Sequence, residues 1–66
     1  MDILVNGQPR TARDDLTVAE LVAELGLAGK RLAVEVNRDI VPRGEHATRT
    51  LHDGDRIEII HAIGGG

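Results

Sequence analysis

The residues Gly64, Gly65 and Gly66 are the strongest candidates for chemistry in this sequence, although none of them carries a side chain. Glycine has no Cβ, so such a tail can extend through a narrow slot and bring a terminal carboxylate up to the reactive groups of another protein. The carboxylate alone is inert, because a pKa of roughly 3.5 leaves it an anion at neutral pH and a poor electrophile. Acyl transfer from Gly66 therefore requires activation, and a phosphate-type leaving group derived from ATP is the obvious route. The plainer reading is a flexible end of the kind common at termini. These glycines do not form a phosphate-binding loop, since no Lys-Ser/Thr follows them and no helix can start there.

Other chemistry is poorly supplied. The chain has no Ser, Cys, Tyr, Trp or Phe, so it can hold neither a persulfide nor a thioester on a side chain. Nucleophilic catalysis would fall to Thr11, Thr17, Thr48, Thr50 or the single lysine, Lys30, and none lies in a recognisable activating motif. His46, His52 and His61 are too scattered for ordinary metal-ligand spacings and read as solvated or half-buried histidines, so no metal site is expected. Asp14-Asp15 and Asp53-Gly54-Asp55 read as turns and helix entries rather than cation sites.

The elements that must position the tail follow from periodicity. Met1, Ile3 and Val5 alternate with Asp2, Leu4 and Asn6, as in a half-buried strand. Asn6-Gly7 is a hairpin turn, and residues 8–13 form the return strand, placed at a sheet edge by Pro9. Thr17 and Glu20 form a capping box, with Leu16 and Leu21 at the staple positions. Val18, Leu21, Val22 and Leu25 make one apolar stripe, and Gly26 is suited to the left-handed residue after the helix, which is placed at residues 18–25. Leu32, Val34 and Val36 mark a third strand. Asn37-Arg38-Asp39 turns into a short strand at Ile40-Val41, which Pro42 ends. Residues 43–50 read as loop or a short helical turn, and Asp53-Gly54-Asp55 launches a last strand in which Ile57 and Ile59 share a face.

At 66 residues there is room for one core, with residues 1–63 as the domain and residues 64–66 as its glycine tail. Without Cys or clustered ligands to staple it, the fold must rely on its 41% apolar content. The net charge of −3, with basic residues spread singly, argues against nucleic acid. No stretch approaches the ~20 apolar residues that span a bilayer and no leader is visible, so a cytoplasmic location without membrane attachment is expected. The element order fits an α+β fold of the β-grasp type, a mixed sheet of about five strands with one main helix across one face. If Ile57 and Ile59 face the helix, Ile60 and Leu4 point to solvent and, with Ala62 beyond them, form a candidate partner-docking patch. The competing reading is a few scattered exposed aliphatics, which is normal.

The whole chain resembles the sulfur carriers of thiamine thiazole synthesis (the ThiS family), a branch of the ubiquitin-like β-grasp carriers. The resemblance is carried by Thr17-Val18-Ala19-Glu20-Leu21, by the run from Val36 to Arg43 containing Ile40-Val41-Pro42-Arg43, and by the run from Asp53 to Ile59 leading to the glycines. It implies a carrier rather than an enzyme. An E1-like adenylating enzyme would use ATP to activate Gly66, with Gly64 and Gly65 lying in its active site. A sulfur-relay protein or cysteine desulfurase would then supply the sulfur of a thiocarboxylate, which thiazole synthase would consume. The chain itself would bind no cofactor. The third glycine extends the family's minimal diglycine ending. The small subunit of molybdopterin synthase shares the fold and tail chemistry, although it tends to be longer, with a proline before its diglycine where this chain has Ala62-Ile63. A non-covalent ubiquitin-like interaction module would need no free terminal glycine.

Overall fold

Asn6 and Gly7 adopt φ of 51° and 79°, the conformation a two-residue hairpin turn needs to match the twist of its strands. They join β1 (Asp2–Val5) to β2 (Gln8–Thr11) as an antiparallel pair, with Leu4 opposite Pro9. The computed structural model describes residues 1–61. The return strand is shorter than the expected 8–13. β1 runs out of partners first, and the pairing ends with Ala12 N–H donating to Met1 O at 2.8 Å. Pro9 does lie on an edge strand, where its missing donor breaks no ladder.

The helix α1 (Val18–Glu24) is set at both ends by side-chain and turn chemistry. The Thr17 hydroxyl accepts from Glu20 N–H at 3.1 Å, and the Glu20 carboxylate accepts from Thr17 N–H at 3.0 Å. These reciprocal bonds satisfy donors that the first turn would otherwise leave orphaned. The Val18 and Ala19 amides reach out to the Arg49 and His46 carbonyls at 2.9 and 2.8 Å, which ties the 43–51 segment to the helix start. At the other end Gly26 has φ 75°. Gly26 N–H donates to Ala23 O and Leu27 N–H to Val22 O, both at 3.0 Å, the double bond pattern of a Schellman cap. Leu25 is thus the cap rather than the last helical residue.

The remaining strands are β3 (Leu32–Val36), β4 (Asp39–Val41) and β5 (Arg56–His61), and the sheet order is β2-β1-β5-β3-β4. β1 and β5 run parallel side by side, while the other neighbours are antiparallel. A single 3-10 turn, Arg43–Glu45, follows Pro42. On the inner face, Ile3, Val5, Val34, Val36, Ile57 and Ile59 pack with the helix residues Val18, Leu21 and Val22, closed by Leu16, Val41 and Leu51. This is the β-grasp arrangement, one helix over one face of a five-stranded mixed sheet.

Side-chain amides and carboxylates lock the strand ends around that core. Asp55, 9% exposed, accepts from His52 N–H at 2.7 Å and from Asn37 Nδ2 at 2.9 Å. Asn37 Oδ1 in turn accepts from Arg56 N–H at 3.0 Å, so the β3–β4 turn and the start of β5 are fastened together. Asp53 accepts from Asp2 N–H at 2.7 Å, and Asn6 Oδ1 accepts from Ile59 N–H at 2.7 Å. Residues that read as simple turn formers therefore also hold β1, β3 and β5 in register. Among the described residues no helix is long and apolar enough to cross a membrane.

Candidate functional site

The strand that leads to the glycines is the central one. β5 is held by β3 along five consecutive register pairs, from Val36↔Ile57 to Leu32↔His61. On its other side Asn6 N–H donates to Ile57 O at 2.9 Å and Asn6 Oδ1 accepts from Ile59 N–H. The fold thus supplies a firmly hydrogen-bonded root for whatever follows His61. Ala62, Gly64, Gly65 and Gly66 lie outside the described residues, as does the proposed boundary after residue 63.

The outer face of the sheet divides the expected patch in two. Ile60 is 65% exposed and Leu4 is half-buried, both on the face away from the helix. Leu4 is level with Arg56, however, four residues before Ile60 on β5. At ~3.3 Å per residue that offset is roughly 13 Å, so the two are not neighbours. The neighbours of Ile60 are different. Ala33 lies directly opposite it, and the next outward row runs Glu58, Glu35, Ile40 across β5, β3 and β4. Ile40 is 68% exposed and was missed as a surface residue by sequence reasoning. The pairing of Val41 with inward Val34 fixes the parity of β4, so Ile40 turns outward.

Glu35 and Glu58 face each other across adjacent strands, and among the described residues neither joins an ion pair. Like charges directly opposite oppose pairing, so this row is an electrostatic concession of the fold, with an apolar side chain at one end and Ile60 alongside.

Several of the other candidate side chains are engaged in structural contacts. Thr17 caps the helix, Thr11 Oγ1 donates to Asp2 Oδ1 at 3.3 Å, and Thr48 Oγ1 to Glu45 O at 3.3 Å. His46 Nε2 lies 3.0 Å from Val41 O, and the His52 ring is 3.9 Å from Asp55. Among the described residues no His, Asp and Glu side chains gather in a group of three or more that could hold a metal. The Glu20 carboxyl is held below its ordinary value of 4.5, chiefly by the Thr17 amide and then by the Thr17 hydroxyl; desolvation opposes them, and Arg13 adds lesser lowering contributions. That is helix-cap electrostatics. An open recess of about 310 Å³ beside α1 is lined by Val22, Leu27, Leu32, Lys30, Arg43 and His46 among others, and the His46 ring there is already engaged with Val41 O at 3.0 Å.

Similarity to known proteins extends through the tail. The model of the ThiS family matches residues 3–66, through the last glycine. A thiazole synthase of Paramagnetospirillum magneticum is 41% identical over all 66 residues, and the chain spans only 20% of that protein's length. The sulfur carrier protein ThiS of Escherichia coli K12 is 36% identical over 66 residues, with 100% of both chains covered. The crystal structure of the thiamine biosynthesis protein ThiS of Geobacter metallireducens superposes with a TM-score of 0.84 at 35% identity, covering 100% of each chain.

Proposed function

The chain belongs to the ThiS family, and from that premise we propose that it is a sulfur carrier of thiamine biosynthesis, acting as a consumed and recharged protein cosubstrate in the cytoplasm. The observation that carries this reading is the family match running through Gly66 on a chain whose whole length also aligns with a carrier of equal coverage. Where Gly66 ends the chain, its carboxylate oxygen attacks the α-phosphorus of ATP in an adenylating enzyme. Pyrophosphate leaves and an acyl-adenylate forms. The persulfide of a sulfur-relay protein or cysteine desulfurase then attacks the acyl carbon and displaces AMP, and a thiol reduces the resulting acyl disulfide, releasing the thiocarboxylate and leaving a disulfide. Thiazole synthase takes up that sulfur and the carboxylate is regenerated. Support for this last partner comes from the thiazole synthase that contains a stretch similar to this entire chain. The scarcity of nucleophiles on the chain agrees with a carrier, since the partners provide the catalysis.

The fold's contribution is the root of the tail. β5 is fixed by both neighbouring strands, so the reach of the carboxylate is set by the residues after His61. Gly64 and Gly65 let the backbone pass a narrow entrance, and the part of the outer face around Ile60, at the tail end of β5, docks the partner.

Intact mass after incubation with ATP, the adenylating enzyme and a sulfur source tests the proposal. The mass should rise by the difference between one sulfur and one oxygen, and fragmentation should place the change on Gly66. Deleting Gly66 leaves a terminal glycine but removes roughly 3.5 Å of reach. Since misplacement by even ~1 Å can cost about a hundredfold in rate, charging should fall steeply. Unchanged mass in the full chain, or sulfur located elsewhere, would refute the assignment of Gly66.

A further inference from the structure

We infer that the Glu35–Glu58 pair is a recognition element for a protein surface that presents an arginine or lysine side chain set between apolar groups. The register puts the two carboxylates directly opposite one another on the open side of β3 and β5, with no internal cation paired to either among the described residues. Ile40 continues the same row on β4, and Ile60 with Ala33 forms the next row toward the end of β5. Among the described residues, Ile40 and Ile60 are the large hydrophobic side chains left most exposed, at 68% and 65%, and both fall on this face. An acidic centre bounded by exposed isoleucines is complementary to a cation bounded by apolar side chains. A guanidinium can meet two carboxylates at once while its stem lies on the isoleucines.

The location adds a second reason. Ile60 is followed on the same strand by His61 and then the tail. A protein that encloses the glycines lies close to the end of β5, where Ile60 is the exposed large hydrophobic side chain on this face. The inference rests on the carrier reading for the identity of that protein. It goes beyond that reading in assigning Glu35, Glu58 and Ile40 a role and in giving the sign of charge the partner must show.

The arrangement also predicts opposite signs for folding and for binding. Replacing like charges that face each other across strands should leave the fold as stable or make it slightly more stable. Losing the two carboxylates should weaken the complex in two ways: slower association, most of all at low ionic strength where steering is unscreened, and faster dissociation because the partner's cation loses its acceptors.

The test uses the full chain and measures its association with the adenylating enzyme and with thiazole synthase of the same organism, at low and high salt. Glu35→Gln/Glu58→Gln should bind at least one of them about tenfold more weakly at low salt, through a slower on-rate and a faster off-rate. The on-rate part should vanish at high salt while the off-rate part persists, and thermal unfolding stays level or moves upward. Ile40→Thr should weaken the same complex at both salt concentrations, through faster dissociation. Equal binding by the double variant and the unaltered chain to both proteins, at both salts, would overturn the inference and leave the carrier reading intact. A lowered melting temperature that tracks weaker binding would also overturn it, since the carboxylates would then be structural. Failure of the unaltered chain to bind either protein, together with no sulfur uptake, would remove the carrier reading and the inference with it.

Discussion

Ile59 and Ile60 are adjacent in the chain and identical in chemistry, yet the sheet sends them to opposite faces, which makes the pair of alanine substitutions a direct test of how β5 is used. Ile59 is 5% exposed and belongs to the core beneath α1, whereas Ile60 is 65% exposed. Truncating a buried isoleucine to alanine costs about 2–5 kcal/mol, the lost transfer energy plus the cavity left behind. A domain of 66 residues has a total stability of about 3–10 kcal/mol at ~0.05–0.15 kcal/mol per residue. Ile59→Ala should therefore remove a large share of the fold's stability. For Ile60 only about a third of the side chain is covered, and full burial would be worth ~1.5–3 kcal/mol, so Ile60→Ala should cost no more than ~1 kcal/mol. In a domain of this size 1 kcal/mol moves Tm by about 4–8 °C. Differential scanning calorimetry should then give a shift for Ile59→Ala at least twice that of Ile60→Ala. Binding should respond in the other order: Ile60→Ala stays folded but associates more weakly with the adenylating enzyme. Equal losses of Tm would refute the facing assignment. A folded Ile60→Ala with unchanged binding to both partner enzymes would refute the docking role of Ile60.

Two further outcomes follow from the polar contacts. Thr17→Ala should cost about 1 kcal/mol by breaking the capping box, read as a lower urea midpoint. Because the Glu20 carboxyl is held below its ordinary value of 4.5, its contribution is present above the unfolded pKa and is lost as pH falls through the lowered folded pKa. Glu20→Gln should flatten that part of the acid limb of a stability–pH curve, and an unchanged limb would rule out the linkage. Asp55→Ala should cost about 1–3 kcal/mol by leaving the Asn37 side-chain amide and the His52 N–H without their acceptor. Faster hydrogen exchange at His52, with the hairpin amides at β1–β2 less affected, would mark the loss as local to that network.

Much of the architecture was legible because local rules and the global fold agree. Asn6-Gly7 can adopt positive φ cheaply, Thr17 and Glu20 can close on each other across one turn, and Gly26 can take the left-handed conformation that ends a helix. These are properties of a few residues in sequence, so composition and spacing alone sufficed for the hairpin, the helix and the alternating strands. The chemical candidate, Gly66, rests on a related argument, since a chain so poor in nucleophiles leaves few alternatives and the family match extends through the glycines; the mass measurement tests it.

What required the tertiary structure was every relation between strands distant in sequence. Parity assigns Leu4 and Ile60 to one face but says nothing of register, and only the alignment of Leu4 with Arg56 separates them along the sheet. Only the β3–β5 register sets Glu35 against Glu58, and only β4 beside β3 brings Ile40 into their row. The same holds for Asp55: it reads as a turn residue until Asn37, 18 positions away, is placed against it. A strand's period of two determines which side a residue faces, and the pairing of strands, decided by packing of the whole core, determines what it faces there.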